Sequence, residues 1–149
     1  MQNQFGSQRL LVKSPQRLCV PSEKRIVRRR KARPFQRIQT PIDHFQCYGV
    51  VSRSPLFAVQ RVRGVKLSDQ FGRRAARLGK PFQLCAPAQK RWKKRLTPLQ
   101  HPVKHLVCYR VNRRNVVRLA QIRNQFERRI VLTRRSVALC VPSNKLVLR

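Results

Sequence analysis

Along much of the chain apolar and polar residues alternate, the spacing that sends successive side chains to opposite faces of a β-strand. Phe45 and Cys47 fall on one face, and Tyr48 and Val50 on the other. Val65, Leu67, Asp69 and Phe71 alternate in the same way, as do Ala120, Ile122, Asn124 and Phe126. Leu10 with Val12, Ala76 with Leu78, and Val131 with the polar Thr133 continue the pattern. The main rival helical stretch is Arg113–Arg123, where the adjacent β-branched Val116 and Val117 favour a strand. The pattern predicts an all-β chain of short antiparallel strands with little helix.

The strands recur in a fixed frame. Gln4-Phe5-Gly6 precedes Leu18-Cys19-Val20-Pro21, Gln70-Phe71-Gly72 precedes Leu84-Cys85-Ala86-Pro87, and Gln125-Phe126-Glu127 precedes Leu139-Cys140-Val141-Pro142. In all three copies Phe and Cys stand 14 positions apart, and Lys24, Lys90 or Lys145 follows the Cys by five. A second element, P-x-x-H-x-x-C-Y-x-V, occurs at Pro41–Val50 and again at Pro102–Val111. Matches of this kind define an internal repeat, here tandem antiparallel β units of about 50 residues each. The divisions that follow are residues 1–24 as the C-terminal half of a unit, 25–40 as a basic linker, and 41–90 as a full unit. A second basic linker, 91–101, leads to another full unit, 102–149. The first copy lacks its H-x-x-C-Y element, so either the chain begins with a half unit or it is the tail of a longer protein; the second is expected, because the C-terminus stops four residues after Lys145, at a unit end. Gly6 and Gly72 suit a turn that needs a positive φ. Pro15 and Pro81, four residues before their cysteines, suit an edge strand or a loop.

Units this small sit near the size at which one apolar core barely offsets chain entropy, so a staple is expected. Five cysteines at repeat-equivalent positions are the candidates: Cys47 with Cys85 and Cys108 with Cys140, leaving Cys19 unpaired. The other register, Cys19 with Cys47 and Cys85 with Cys108, would join units to one another, and spacing alone does not choose. Buried reduced thiols are a further alternative. Weak metal candidates are His44, Cys47 and Cys85, and His105, Cys108 and Cys140. Each set lacks the fourth ligand of a closed zinc site, so no metal and no other cofactor is expected.

Charge changes the picture more than any motif. The chain carries 36 Lys and Arg against four acids, a net +32, yet it is 41% hydrophobic, too apolar for a disordered basic tail. A folded core with a basic surface is expected, and such a surface attracts nucleic acid, acidic polysaccharide or anionic lipid. The candidate contacts are Arg28, Arg29, Arg30 and Lys31 with Phe35 nearby, and Lys93, Lys94 and Arg95 beside Trp92. Basic and aromatic residues in such runs grip phosphates and stack bases. The opposing reading is a solvated surface, because the charge is spread rather than focused. With scattered acids, no phosphate-binding glycine loop and His–Cys pairs repeated evenly, an enzyme is not expected. There is neither an apolar run long enough for a membrane span nor a signal peptide.

Asp43-His44-Phe45-Gln46-Cys47-Tyr48-Gly49-Val50, Asp69-Gln70-Phe71-Gly72 and Lys80–Lys90 together resemble a repeat domain of unknown function from secreted or envelope-associated bacterial proteins. Its pattern is H-F-x-C-Y-x-V, then (D/N)-Q-F-G, then K-P-x-x-L-C-x-P-x-x-K. His105–Val111, Asn124–Phe126 and Leu139–Lys145 match less fully, and Asn3–Lys24 matches the latter half. The resemblance implies a small all-β, cysteine-paired, extracellular module without established activity. The chain departs from it in lacking an export signal and in its scarcity of acids. Two functions are therefore expected to compete. One is a non-catalytic structural or binding repeat of the bacterial exterior. The other is a basic polyanion-binding protein, with a cytoplasmic location as the alternative.

Overall fold

The computed structural model describes residues 1–27, 35, 42–53, 64–69, 72–112 and 115–147. The strands are β1 (Gln2–Asn3), β2 (Gly6–Ser7), β3 (Leu10–Cys19), β4 (Glu23–Ile26), β5 (His44–Ser52), β6 (Val65–Asp69) and β7 (Gly72–Ala76). They continue as β8 (Leu78–Ala88), β9 (Lys90–Trp92), β10 (Arg95–Thr97), β11 (His105–Val111), β12 (Asn115–Arg123), β13 (Arg128–Arg135) and β14 (Ala138–Ser143). No helix occurs among the described residues, so the fold is all-β, and the Arg113–Arg123 stretch resolves as strand from Asn115 onward.

The repeat unit is visible as a four-strand frame. In each full unit an H-x-x-C-Y strand (β5 or β11) is followed by a hairpin (β6–β7 or β12–β13) and an L-C-x-P strand (β8 or β14). The first and last strands of a unit pair antiparallel, β5 with β8 and β11 with β14. The last strand of one unit then pairs with the first of the next, β3 with β5 and β8 with β11. The result is one five-stranded sheet in the order β14-β11-β8-β5-β3. Small units that could not each fill a core alone thus share a sheet.

The turns explain the Q-F elements. Gly6 and Gly72 have φ of 109° and 129°, a region that a side chain strongly disfavours. Where Glu127 replaces glycine, the Asn124 side chain closes the turn: its Oδ1 accepts from the N–H groups of Phe126 (2.9 Å) and Glu127 (3.1 Å). Asn3 does the same for the Phe5 N–H at 2.9 Å. An Asx turn therefore sustains the bend without requiring glycine.

Pro15 lies in β3, paired on one side only, and register shifts flank it. Pro81 lies in β8, a central strand, beyond the Gly49↔Gln83 pair that ends the register with β5 and between irregularities opposite Tyr109. Proline cannot donate to a ladder, so an edge and a bulge are its natural places in a sheet.

Both basic linkers contain structure at their ends nearest the units. Arg25 and Ile26 belong to β4, which pairs with β12 about a hundred residues later to give the sheet β13-β12-β4. In the second linker, β9 and β10 form a two-residue-loop hairpin in which Trp92 opposes Arg95 and Lys93 takes a φ of 53°. A left-handed conformation at a residue with a side chain costs roughly 1–2 kcal/mol.

The two faces of the large sheet differ. One carries the row Tyr48, Leu84, Val107 and Val141, with Val50 and Tyr109 in the same cluster. Met1, Phe5, Leu10, Leu78 and Leu139 pack against that cluster. The opposite face carries the cysteines, with Phe45, Phe82 and Leu106 packed against the buried three. The two-residue alternation read from the sequence is what separates these faces.

Candidate functional site

Each strand of the five-stranded sheet contributes one cysteine, so sheet order is also cysteine order: Cys19, Cys47, Cys85, Cys108, Cys140. Cys47 is bonded to Cys85 and Cys108 to Cys140, in both cases between directly opposed residues whose Cα atoms are 3.9 Å apart. Cys19 is a free, exposed thiol. Its sulfur lies 3.7 Å from that of Cys47, and the sulfurs of Cys85 and Cys108 lie 3.8 Å apart. Bonds and gaps therefore alternate along a single row. The middle cysteines are 1–2% exposed, whereas Cys19 and Cys140 at the sheet edges are exposed.

The weak metal candidates are otherwise engaged. The four sulfurs of Cys47, Cys85, Cys108 and Cys140 are shared in disulfides and offer no thiolate. The buried His44 has its Nε2 3.0 Å from the Gln125 side-chain amide, and the buried His105 has its Nδ1 3.1 Å from the Val103 carbonyl. No cluster of His, Cys, Asp and Glu fit for a metal ion occurs among the described residues.

On the other face lies a polar network that the sequence pattern did not single out. Tyr109 is fully buried and its hydroxyl accepts from Asn3 Nδ2 (2.9 Å) and Gln8 Nε2 (2.8 Å). Asn3 also donates to Ser143 Oγ at 3.0 Å, and Phe5 meets the Tyr109 ring edge-on at 5.3 Å. Burial raises the Tyr109 pKa above its ordinary value, against the opposing pull of its bonds to Asn3 and Gln8. With the Gln2↔Asn144 bridge, these contacts tie the N-terminal segment to the end of β14. The paired recurrence of Tyr48 and Tyr109 was the available signal, but partners 101 and 106 residues distant leave no local trace. Next to this network a cleft of about 520 Å³, bounded by Leu10, Val12 and Leu84, carries Arg9, Arg53 and Lys145. Gln8 borders it, and its Oε1 has no hydrogen-bond partner among the described residues.

The basic candidates divide. Arg28, Arg29, Arg30 and Lys31 lie outside the described residues. Lys93, Lys94 and Arg95 are exposed at the tip of the β9–β10 hairpin, next in sequence to Trp92. Phe35 is not a bare stacking platform: Arg25 and Arg123 stand 4.8 Å from its ring centre and Arg128 5.5 Å. Cation–π contacts of this kind engage the aromatic ring. Acids neutralise little of the charge. Glu23 holds Arg123, Glu127 holds Arg129 at 2.9 Å, and the buried Asp43 accepts from the backbone N–H groups of Gln100 (2.6 Å) and His101 (2.7 Å).

A bridged sheet assembled from recurring strand frames defines a β-repeat protein. The chain belongs to the family described as a repeat of unknown function (DUF7450), whose model matches residues 1–142. No curated protein and no solved structure matches it. No helix among the described residues is long and apolar enough to cross a membrane, and the two disulfides are compatible with an extracellular location.

Proposed function

We propose that this chain is a non-catalytic structural and binding repeat of the bacterial exterior. The observation that carries the reading is the bridge that spans the outer strands of each full unit at the same repeat positions. Repetition supports an architectural role, because the residues most able to do chemistry recur as framework: the cysteines bridge and the histidines are buried in hydrogen bonds. Disulfides persist in oxidising compartments and are rare in the cytosol, which supports the exterior location. The test is fractionation of the native host, with thiols alkylated before lysis and peptides mapped without reduction. Protein in the envelope or medium with Cys47–Cys85 and Cys108–Cys140 bridges is the expected result. Cytosolic protein with five alkylated thiols would overturn it.

A second reading, polyanion binding, draws on the exposed cluster Lys93, Lys94 and Arg95 at a hairpin tip. Three cations held close together on a short stem can meet successive phosphates or sulfates. Binding that persists at physiological salt and ranks one polyanion above others supports this reading. Binding that disappears with salt and ranks none reduces it to non-specific charge.

A further inference from the structure

The row of sulfurs has a property that neither bridge has alone. Moving every bond one step along the row gives another arrangement with the same number of bonds: Cys19–Cys47 and Cys85–Cys108, with Cys140 as the free thiol. We propose that the sheet is an internal thiol relay, in which thiol–disulfide exchange carries the free thiol from the β3 edge to the β14 edge.

The chemistry balances without an oxidant or a reductant. Cys19, exposed, gives its proton to solvent, and its thiolate attacks Cys47 Sγ 3.7 Å away. The Cys19–Cys47 bond forms, the Cys47–Cys85 bond breaks, and the electron pair leaves on Cys85. That thiolate faces Cys108 Sγ at 3.8 Å. Its attack forms Cys85–Cys108 and expels Cys140, which takes a proton from solvent at the opposite edge. Exchange requires the entering sulfur to approach the near sulfur of a disulfide and expel the far one. Strand order supplies that relation twice, since Cys47 is nearer to Cys19 and Cys108 nearer to Cys85.

Burial confines the traffic to the row. Cys47, Cys85 and Cys108 are 1–2% exposed, so external thiols are kept from the middle while both ends stay accessible. The resting register is the observed one, because its bonds join directly opposed residues. The shifted register joins diagonal neighbours: Cys19 opposes Phe45, and Cys47 opposes Arg17. Diagonal pairs are more widely spaced on a sheet, so the shifted form is the minor one and is drawn out when the Cys140 thiol is consumed. The outcome is a repeat whose one odd thiol can attack an external disulfide at either sheet edge, forming a mixed disulfide and releasing that partner's other sulfur as a thiol.

Two measurements test this on the full chain. The intact protein is incubated at mildly alkaline pH without added thiol, quenched in acid, alkylated and mapped for linked peptides. Cys19–Cys47 and Cys85–Cys108 peptides are expected to grow in at a rate independent of protein concentration, with alkylated Cys140 beside them. The Cys19→Ser variant, which keeps both resting bridges, should yield neither. Growth that scales with concentration, or Cys85–Cys108 peptides in the Cys19→Ser variant, would overturn the relay. The second measurement asks whether the sheet accepts the shifted register. The Cys140→Ser variant is oxidised with glutathione disulfide and is expected to settle as Cys19–Cys47 and Cys85–Cys108. Retention of Cys47–Cys85, with Cys19 and Cys108 glutathionylated, would show that diagonal bridging is forbidden and would equally overturn the proposal.

Discussion

Gln8 donates a hydrogen bond of 2.8 Å to the hydroxyl of Tyr109, a residue that follows it by 101 positions and is fully buried. Asn3 makes a second such bond, so two amide groups of the N-terminal segment donate to one phenol on β11. The aromatic body of Tyr109 fills the core while its polar end satisfies side chains that would otherwise be desolvated.

Replacing Tyr109 by Phe keeps the ring and its contact with Phe5 but takes the acceptor from Gln8 Nε2, while Asn3 retains its bond to Ser143. Among the described residues Gln8 is already without a partner at Oε1, so little alternative bonding is at hand there. The expected loss is about 1–3 kcal/mol, the usual cost of an unsatisfied buried group. Urea unfolding under non-reducing conditions measures it. The matching change at the less buried Tyr48 should cost about 0.5 kcal/mol or less. Equal losses at both tyrosines would show that the network adds nothing.

Alkaline pH should act through the same residue. Burial raises the folded-state pKa of Tyr109 above the ordinary phenol value of 10.0. Above that value the unfolded chain gives up its phenolic proton while the folded chain still holds it. Stability from this group is thus complete below pH of about 10 and falls as pH rises through the folded pKa. The stability gap between the wild type and Tyr109→Phe is expected to narrow over that window. A gap that is constant or widens with pH would contradict the assigned burial.

Asp43, immediately before β5, ties the start of that strand to the segment that precedes β11. Its two carboxylate oxygens accept from the N–H groups of Gln100 and His101, and it is only 5% exposed. Asp43→Asn keeps the shape but turns one acceptor into a donor that faces an N–H. A loss of about 1–3 kcal/mol is expected, together with faster amide exchange at Gln100 and His101. Unchanged exchange at those two amides would refute the role.

How far the sequence reached depends on the range of each interaction. Strand character follows from neighbours two apart, so β5, β8, β11 and the hairpins were legible. The Gly6 and Gly72 turns were too, because their need for positive φ is local. Other features were not. The pairing of Glu23–Ile26 with Ala120–Arg123 joins β4 to the other edge of the β12–β13 hairpin across about a hundred residues of chain, which leaves no local trace. All but the first residue of the hairpin at Lys90–Thr97 lay in a stretch read as linker, since a turn at Lys93-Lys94 lacks the glycine or asparagine that usually announces one. The same holds for the sulfur row. Its two registers were both readable from spacing, but the 3.7 and 3.8 Å gaps between them arise from strand order.

For the basic hairpin, the salt dependence of duplex DNA binding is the informative quantity. Each phosphate neutralised contributes about 0.9 to the slope of log affinity against log salt. Lys93→Ala, Lys94→Ala and Arg95→Ala combined should make that slope shallower by about 2–3 if all three cations contact phosphate. A slope equal to the wild type's would assign binding to the rest of the charge.

The bridges should dominate the stability of their units. The Cys47–Cys85 and Cys108–Cys140 bonds close segments with sequence separations of 38 and 32 residues. In the chain-entropy model loops of this size stabilise by about 4 kcal/mol each. A single substitution is a poor probe, because Cys85→Ala would leave Cys47 next to the free thiol of Cys19 and able to pair with it. The double variant Cys108→Ser with Cys140→Ser removes one bond, leaves Cys47–Cys85 in place and should cost about 3–4 kcal/mol. Denaturant unfolding followed by tyrosine fluorescence reads the change, with Cys19→Ser as a control expected within about 0.5 kcal/mol of the wild type. A loss below about 1 kcal/mol in the double variant, against that expectation, would mean that sheet pairing with β8, rather than the bridge, holds β11 and β14 in the fold.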